Sequence, residues 1–447
     1  MTDFRDPVGA ISDREHRAQL RRAVVASTIG TTIEWYDFFL YSTVTGLVFA
    51  QLYFPKSDPV TGTLQAFLVY AVGFIARPVG AMIFGHYGDR IGRKATLIAS
   101  LLIMGISTFA VALVPTYASI GIWGAVLLTV LRFIQGIGVG GEWGGSVLIA
   151  MEWAKGNSHR GFVASWPQFG VPAGLFLANL AVLVFSRLSG DEFLQWGWRV
   201  PFLLNLVLMF IGLYIRLSIL ETPTFRRLVL ANRIEKAPAL EVLRRQPREV
   251  LLTAFSRMGE QAPFYVFTAF VFTYGTTVLQ VRQDFLLEGL LLASALSFVT
   301  IPLFGWLSDR IGRRRTFLLG AAAMTVYGFL YFAMLDTRAP AMILFAMMLA
   351  TVPHDMMYGP QAALIAESFK GQTRYSGASL GYQLASLIAG GPAPLIATAL
   401  LARYHAGWAI AVYIAACAVV SVIATALMPD HTGRDITAEY DAPESGE

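Results

Sequence analysis

Twelve runs of about 20 mostly apolar residues dominate the 447-residue chain, each long enough to cross a bilayer as a helix. They fall near 24–49, 63–86, 95–114, 120–152, 162–185, 198–219, 250–279, 285–308, 316–334, 341–368, 375–401 and 408–427. Several hold Gly and Pro, which membrane helices tolerate better than soluble ones. Charged residues make up 14%, against roughly 25% in soluble domains, so an ordinary water-soluble enzyme is excluded. The first run is too long for a signal peptide, carries Glu34 and Asp37, and meets no small-residue cleavage site. The one cysteine, Cys417, rules out a disulfide framework and any cysteine-based metal site, and reads as packing.

Basic residues set the expected orientation. With the N-terminus in the cytoplasm, inside segments hold 24 Lys and Arg and outside loops hold 5 (Lys56, Arg187, Arg282, Arg338, Arg403). That asymmetry follows the positive-inside rule and places both termini in the cytoplasm. Spread over short loops, these residues do not form a nucleic-acid surface, despite the formal charge of +5. The expected organisation is a cytoplasmic segment 1–23, a six-helix bundle 24–219, a central cytoplasmic loop 220–249 with short amphipathic helices, a second bundle 250–427 and an acidic, unfolded tail 428–447.

A ten-residue pattern occurs twice at an offset of 220 residues. Gly85-His-Tyr-Gly-Asp89-Arg90-Ile-Gly92-Arg93-Lys94 follows the second run, and Gly305-Trp-Leu-Ser-Asp309-Arg310-Ile-Gly312-Arg313-Arg314 follows the eighth. A weaker echo links Val147 to Glu152 and Arg160 with Ala363 to Glu367 and Arg374. Two like halves joined by a loop are a transporter design with parallel repeats, and the binding site is then expected between the halves near the midplane. The first glycine of the pattern lets two helices approach, its aspartate can cap the next helix, and its arginines can hold a gate by ion pairs.

With these motifs the sequence resembles the major facilitator superfamily. Arg132-Phe-Ile-Gln135-Gly136-Ile-Gly138 resembles a superfamily motif linked to proton coupling, and Glu221-Thr-Pro223 resembles the acidic-Pro ending of the sixth span in the sugar-porter branch. Pro429 to Arg434 is a degenerate version of that ending. Further segments resemble the metabolite:proton symporters that carry shikimate, 2-oxoglutarate, citrate and proline or betaine. These are Gly30 to Tyr41, Ala76-Arg-Pro-Val-Gly80, Phe84 to Asp89, Gly140-Gly-Glu-Trp-Gly-Gly145, Trp196 to Phe202 and Arg374 to Tyr382. The likeness spans about 20–430. It implies an all-α membrane fold of twelve transmembrane helices in two six-helix halves, and it does not reach to the substrate.

Ionisable side chains inside a membrane are costly, so they face protein or a cavity and usually serve function. Glu34, Asp37, Tyr41 and Thr45 share one face of the first span. Arg77 lies in the second span. Arg132, Gln135, Val139, Glu142, Trp143 and Ser146 line one face of the fourth, and Arg257, Glu260, Gln261, Phe264, Tyr265 and Thr268 form a stripe on the seventh. Trp166 and Gln168 lie in the fifth; His354, Asp355, Tyr358, Gln361, Tyr382 and Gln383 lie in the tenth and eleventh. Glu288, Glu152 and Glu367 are expected at interfaces. One reading is a set of satisfied pairs, Asp37 with Arg132 and Arg257 with Glu260. The other is functional. Asp37 pairs with Arg132 and takes a proton when water is excluded, while a substrate carboxylate takes over Arg132. Glu34 and Glu142 are further candidates for the proton. Arg77, Arg132 and Arg257 are fixed donors for a bidentate carboxylate, and Tyr41, Trp166, Phe264 and Tyr265 pack its carbon frame.

The leading expectation is a proton-coupled symporter of a small organic acid in the cell membrane, working as a monomer with no cofactor and no metal. An alternative in the same class carries zwitterionic osmolytes, since aromatic residues suit a quaternary ammonium. An osmosensing member would be expected to carry a C-terminal coiled coil, which this tail lacks. A membrane receptor would need an output domain. No H-E-x-x-H, G-x-S-x-G or P-loop occurs, which argues against an enzyme and against ATP-driven transport. The six histidines form no ligand cluster.

Overall fold

The structure, a computed structural model, describes residues 13–91, 93–153, 159–218, 238–369 and 374–433, and these contain helices and no strand. Eleven helices among them are long and apolar enough to cross a membrane. The first helix, with its polar stripe, makes twelve. Helix is the form expected in lipid, because it satisfies every backbone polar group within its own segment.

Helix α1 comprises Asp13–Val44, a π-helical turn Thr45–Phe49 and Ala50–Tyr53. The others are α2 (Pro59–Ile91), α3 (Arg93–Leu113), α4 (Trp123–Met151), α5 (Arg160–Ser189) and α6 (Val200–Ser218), then α7 (Pro247–Leu279), α8 (Gln283–Ile311), α9 (Arg313–Asp336), α10 (Pro340–Glu367), α11 (Arg374–Tyr404) and α12 (Gly407–Leu427). Most overrun the apolar runs that announce them. Nothing breaks the backbone at the edge of the apolar stretch, so the helices extend beyond it.

Irregular turns fall on the helices that carry the polar stripes. Helix α7 holds Pro263 and two π-helical turns, Val266–Phe270 and Gly275–Leu279, and α11 holds one at Ser386–Gly390. The α-helix of α4 is interrupted at Gly141, and that of α10 at Ala350. Such interruptions mark deformable, often functional, points in a helix.

The two halves meet at both ends of the bundle. At the end bearing the repeated motif, a β-carbon on Gly161 would collide with Ser308 and the Gly305 carbonyl. Only glycine lets α5 and α8 approach so closely. At the far end Arg187 of α5 pairs with Glu288 of α8. Between these ends the Phe39 and Phe264 rings of α1 and α7 lie 5.6 Å apart, and Phe74 of α2 packs on Gly390 and Gly391 of α11. The centre is closed, with Asp37 and Arg257 fully buried. Cys417 is buried packing, as expected.

Of the central loop, 219–237 lies outside the described residues, including Glu221 and Pro223; Pro238–Arg245 is a short amphipathic helix with Val242 buried against α11. The tail differs from its expectation up to Gly433. Thr432 accepts the Arg313 N–H at 3.1 Å, and His431 Nδ1 lies 2.8 Å from the Glu367 carbonyl, so 429–433 is held against the second motif. Residues 434–447 lie outside the described ones.

Candidate functional site

Close packing of α2 on α4 assembles the centre. A β-carbon on Gly136 would overlap the Gly73 carbonyl, one on Gly140 the Arg77 carbonyl, and one on Gly80 the Ile137 carbonyl. The two backbones therefore nearly touch, which brings Arg77 and Arg132 to one aromatic wall. The Arg77 guanidinium carbon lies 4.3 Å from the Phe38 and Phe74 ring centres; that of Arg132 lies 4.6 Å from Phe38, 4.4 Å from Tyr41 and 4.7 Å from Tyr70. Both arginines are about 1% exposed, and neither has a carboxylate partner among the described residues. Arg77 Nε and Nη2 and Arg132 Nη2 have no hydrogen-bond acceptor, and neither do the hydroxyls of Tyr41, Tyr70 and Tyr265 find partners. Buried donors left unmade are costly unless something fills them.

The expected Asp37–Arg132 ion pair is not formed. Arg132 instead donates to Gln135 Oε1, and its Nε lies 3.4 Å from the Tyr70 carbonyl. Gln135 Nε2 donates to the Thr108 hydroxyl at 2.7 Å, and Thr108 lies beside Asp37. The Thr108 proton is committed to the Met104 carbonyl at 3.0 Å, so both Asp37 oxygens remain without a donor. A polar chain, Thr108–Gln135–Arg132, thus runs from beside Asp37 to the arginine where a direct pair was expected. The cause is the aromatic wall: Arg132 is drawn to three rings, and Asp37 points to α3.

Glu142 is placed differently from its expectation too. It pairs with Arg216 of α6 and accepts from Ser100 at 2.9 Å, so it is a satisfied interhelical anion rather than a cavity group. Arg216 also donates to the Leu97 carbonyl, joining α3, α4 and α6. Glu34 sits beside this cluster, with Oε2 unpartnered. Sequence reasoning missed Arg216. Its signal was one cation near the end of an otherwise apolar helix.

In the second half, Arg257 pairs with Glu260 at 3.2 Å, as the structural reading allowed, and its guanidinium covers the Tyr382 ring at 3.3 Å. Glu260 accepts from Gln261 at 3.0 Å and Gln361 at 3.1 Å. Tyr382 stacks on Trp143 at 3.8 Å, Trp143 donates to Gln168 at 2.9 Å, and Gln383 reaches the Val139 carbonyl at 3.5 Å, so this network spans both halves. Trp166 is not part of it; its ring packs on Phe162 and Phe169 of its own helix. His354 and Asp355 join the network through Glu260. They line a pocket between α5, α7, α8 and α10 that is separate from the Phe38 wall.

At the motif end, Asp309 accepts the backbone N–H groups of Gly161 and Phe162 at 2.8 and 2.9 Å. An aspartate of one half therefore caps the first turn of a helix in the other. Arg313 lies 3.4 Å from Asp309 and pairs with Glu367, which is 3.7 Å from Arg160. Gly305 makes the close approach to Gly161, Gly312 adopts a left-handed φ of 101° between α8 and α9, and Arg310 lies over Trp306 in an exposed position. In the first copy, Gly85 faces Ser376 of α11. Gly92 and the side chains of Asp89, Arg90 and Arg93 lie outside the described residues, as does the Glu152 side chain.

Two six-helix halves that share a buried charged centre are the arrangement expected of a transporter. The chain belongs to the Major Facilitator Superfamily, whose family profile matches residues 27–390 and 289–439. It is 39% identical over 418 residues to the shikimate transporter of Escherichia coli strain K12, covering 92% of this chain and 95% of that one. It is 40% identical over 414 residues to the inner membrane metabolite transport protein YhjE of the same strain, covering 91% and 93%. It is 30% identical over 433 residues to the proline/betaine transporter of Salmonella typhimurium, covering 94% and 85%. Among solved structures, the proton:xylose symporter XylE bound to 6-bromo-6-deoxy-D-glucose matches with a TM-score of 0.76 at 17% identity, covering 95% of this chain and 99% of that one. The protein is accordingly a multi-pass membrane transporter of the Major Facilitator Superfamily, with metabolite transporters among its relatives, and not an enzyme.

Proposed function

We propose that this transporter carries a small organic anion together with a proton, both termini lying in the cytoplasm and the monomer sufficing. One observation carries the reading: Arg77 and Arg132 share an aromatic wall at the closed centre with donors pointing at no acceptor. A carboxylate placed there would take the free Nη2 of Arg132 and the free Nε and Nη2 of Arg77, bonds of the strong, charge-assisted kind. Likeness to the shikimate transporter supports the same class of substrate.

Charge balance supplies the coupling. With the centre empty, the charges of Arg77 and Arg132 are matched by Asp37 and Glu34, while Arg216 matches Glu142 and Arg257 matches Glu260. A bound monoanion adds one negative charge in a fully buried region. One proton on Asp37 restores neutrality, and an uncompensated buried charge is what the membrane penalises. The Thr108–Gln135 chain then reports the state of Asp37 to Arg132: a protonated Asp37 can donate to the Thr108 oxygen and compete for it with Gln135.

A zwitterionic osmolyte fits less well. A quaternary ammonium needs an open aromatic face, and the guanidinium groups of Arg77, Arg132 and Arg257 already cover Phe38, Phe74, Tyr41, Tyr70 and Tyr382. The test is uptake of radiolabelled shikimate, other mono- and dicarboxylates, proline and betaine into proteoliposomes under an imposed pH gradient. Carboxylate uptake that collapses with a protonophore is the expected result. Sodium-dependent uptake, or uptake of betaine alone, overturns the reading.

A further inference from the structure

The second half holds a titratable cluster that the function proposed above does not use. His354 of α10 is 6% exposed and stands between two carboxylates. Its Nδ1 is 2.7 Å from Asp355 Oδ1; its Nε2 is 3.5 Å from Glu260 Oε1 on α7 and has no hydrogen-bond partner. The ring stacks on Phe264 at 4.8 Å and on Tyr358 at 5.2 Å, so its orientation is fixed. Thr300 of α8 donates to the other oxygen of Asp355.

The other ionisable groups around it are Arg257 and Tyr265 on α7, Tyr358 on α10 and Tyr382 on α11. Helices α5 and α8 present Val171, Pro172, Leu175, Ser294, Ser297 and Thr300, none of them ionisable. With the imidazole protonated, Arg257, Glu260, His354 and Asp355 sum to zero charge. With it neutral, one negative charge stays buried. The cluster is therefore built around one removable proton.

Two further features supply room for water and a trigger. The pocket that His354 and Asp355 line has a cavity of about 40 Å³, and a water needs only roughly 10–15 Å³. Glu260 stands just ahead of Pro263 and the π-helical turn Val266–Phe270, where α7 is most easily bent. Bending there would carry Glu260 away from Nε2.

We propose that His354, held between Asp355 and Glu260, is a second proton-exchanging centre in the second half, separate from Asp37 and emptied when α7 bends. A hydronium in the pocket gives its proton to Nε2 and leaves as water; on the other side of the cycle the imidazolium returns it to water. The proposal rests on the proton-coupled reading and adds a second proton to it.

The first test needs no substrate. Protein labelled with ¹⁵N-histidine, in lipid nanodiscs, is titrated by NMR, with the His354 signal assigned by its loss in His354→Gln. An imidazolium that titrates as one step, reshaped in Glu260→Gln, is expected; a neutral imidazole at every pH overturns the proposal. The second test is static-head accumulation of labelled shikimate in proteoliposomes, with the membrane potential clamped at zero. For a gradient of about one pH unit, each coupled proton contributes about ten-fold accumulation, so His354→Gln should accumulate about ten-fold less than wild type. Because the single variant leaves Asp355 unbalanced, His354→Gln/Asp355→Asn is measured beside it and should keep shikimate counterflow. Equal accumulation by wild type and both variants overturns the second centre alone. Wild-type shikimate counterflow with no gradient-driven accumulation overturns the proton-coupled reading and the second centre with it.

Discussion

Arg77 and Arg132, on different helices, lie against one ring, with guanidinium carbons 4.3 and 4.6 Å from the centre of Phe38. Two buried cations this close repel, and neither forms a direct ion pair with a carboxylate among the described residues. The Phe38 ring offsets part of the repulsion through its negative face. An anion bound between them would offset the remainder. Arg132→Lys keeps the charge and loses the planar fork, so it should lose the one charge-assisted bond that the free Nη2 offers the substrate. Such a bond is worth roughly 1.5–3 kcal/mol. Transport efficiency should fall about ten- to a hundred-fold, mostly in KM, measured as initial uptake rate against substrate concentration. A lysine variant at wild-type rate would make Arg132 a packing residue only.

Asp37→Asn should lower accumulation driven by a pH gradient to what the His354 proton alone supports, while sparing substrate exchange. Asparagine keeps the shape of the side chain but neither takes up nor releases a proton. A bound anion would then balance the arginines as well as before, so the loaded carrier still reorients. The empty carrier returns with one positive charge unmatched, and that step should be slow. Counterflow in preloaded vesicles, set against uptake under a pH gradient, separates the two. Full gradient-driven accumulation would move the proton elsewhere, to Glu34 first.

The fold was legible because its determinants are local in sequence. Runs of about 20 apolar residues and a motif repeated after 220 residues specify twelve helices in two halves. Much of the centre was legible for a similar reason: Arg77, Arg132, Asp37 and Arg257 are ionisable residues within apolar helices. Partner choice was not legible. Helical spacing shows that Asp37 and Arg132 face inward, but not that three aromatic rings hold Arg132 while Asp37 turns to Thr108. Arg216 shows the limit from the other side. Near a helix end it reads as an interfacial charge, and only the packing of α3, α4 and α6 turns it inward to Glu142.

That pair should matter for stability rather than for substrate. Arg216 and Glu142 are 5% and 2% exposed. Removing one partner leaves the other charged and buried, a loss of about 3–5 kcal/mol. Arg216→Met should lower the melting temperature in detergent and the yield of folded protein. Arg216→Met with Glu142→Leu should recover most of both, because no charge remains to be compensated. If the double variant folds well but has lost transport, the pair belongs to the working centre after all.

Asp309 predicts a kinetic defect without a binding defect. Its carboxylate caps the backbone N–H groups of Gly161 and Phe162, and this contact can exist only while the two halves are closed at the motif end. A side-chain cap is worth about 0.5–2 kcal/mol, and an anion at a helix N-terminus gains roughly 0.3–1 kcal/mol more from the dipole. Asp309→Asn keeps the shape and one acceptor but loses the charge and the attraction to Arg313. Closure at that end should therefore weaken by about 1 kcal/mol, shifting the balance of conformations about five-fold. Because the Phe38 wall lies at the closed centre between the two ends, intrinsic affinity should hold while maximal rate falls. The check is a pair of measurements on one preparation: substrate binding by equilibrium dialysis, and turnover in proteoliposomes. Accessibility of a cysteine introduced at Ser165, beside the Gly161–Gly305 contact, should rise in the variant in the absence of substrate. Unchanged accessibility with normal turnover would show that the cap is incidental to the gate.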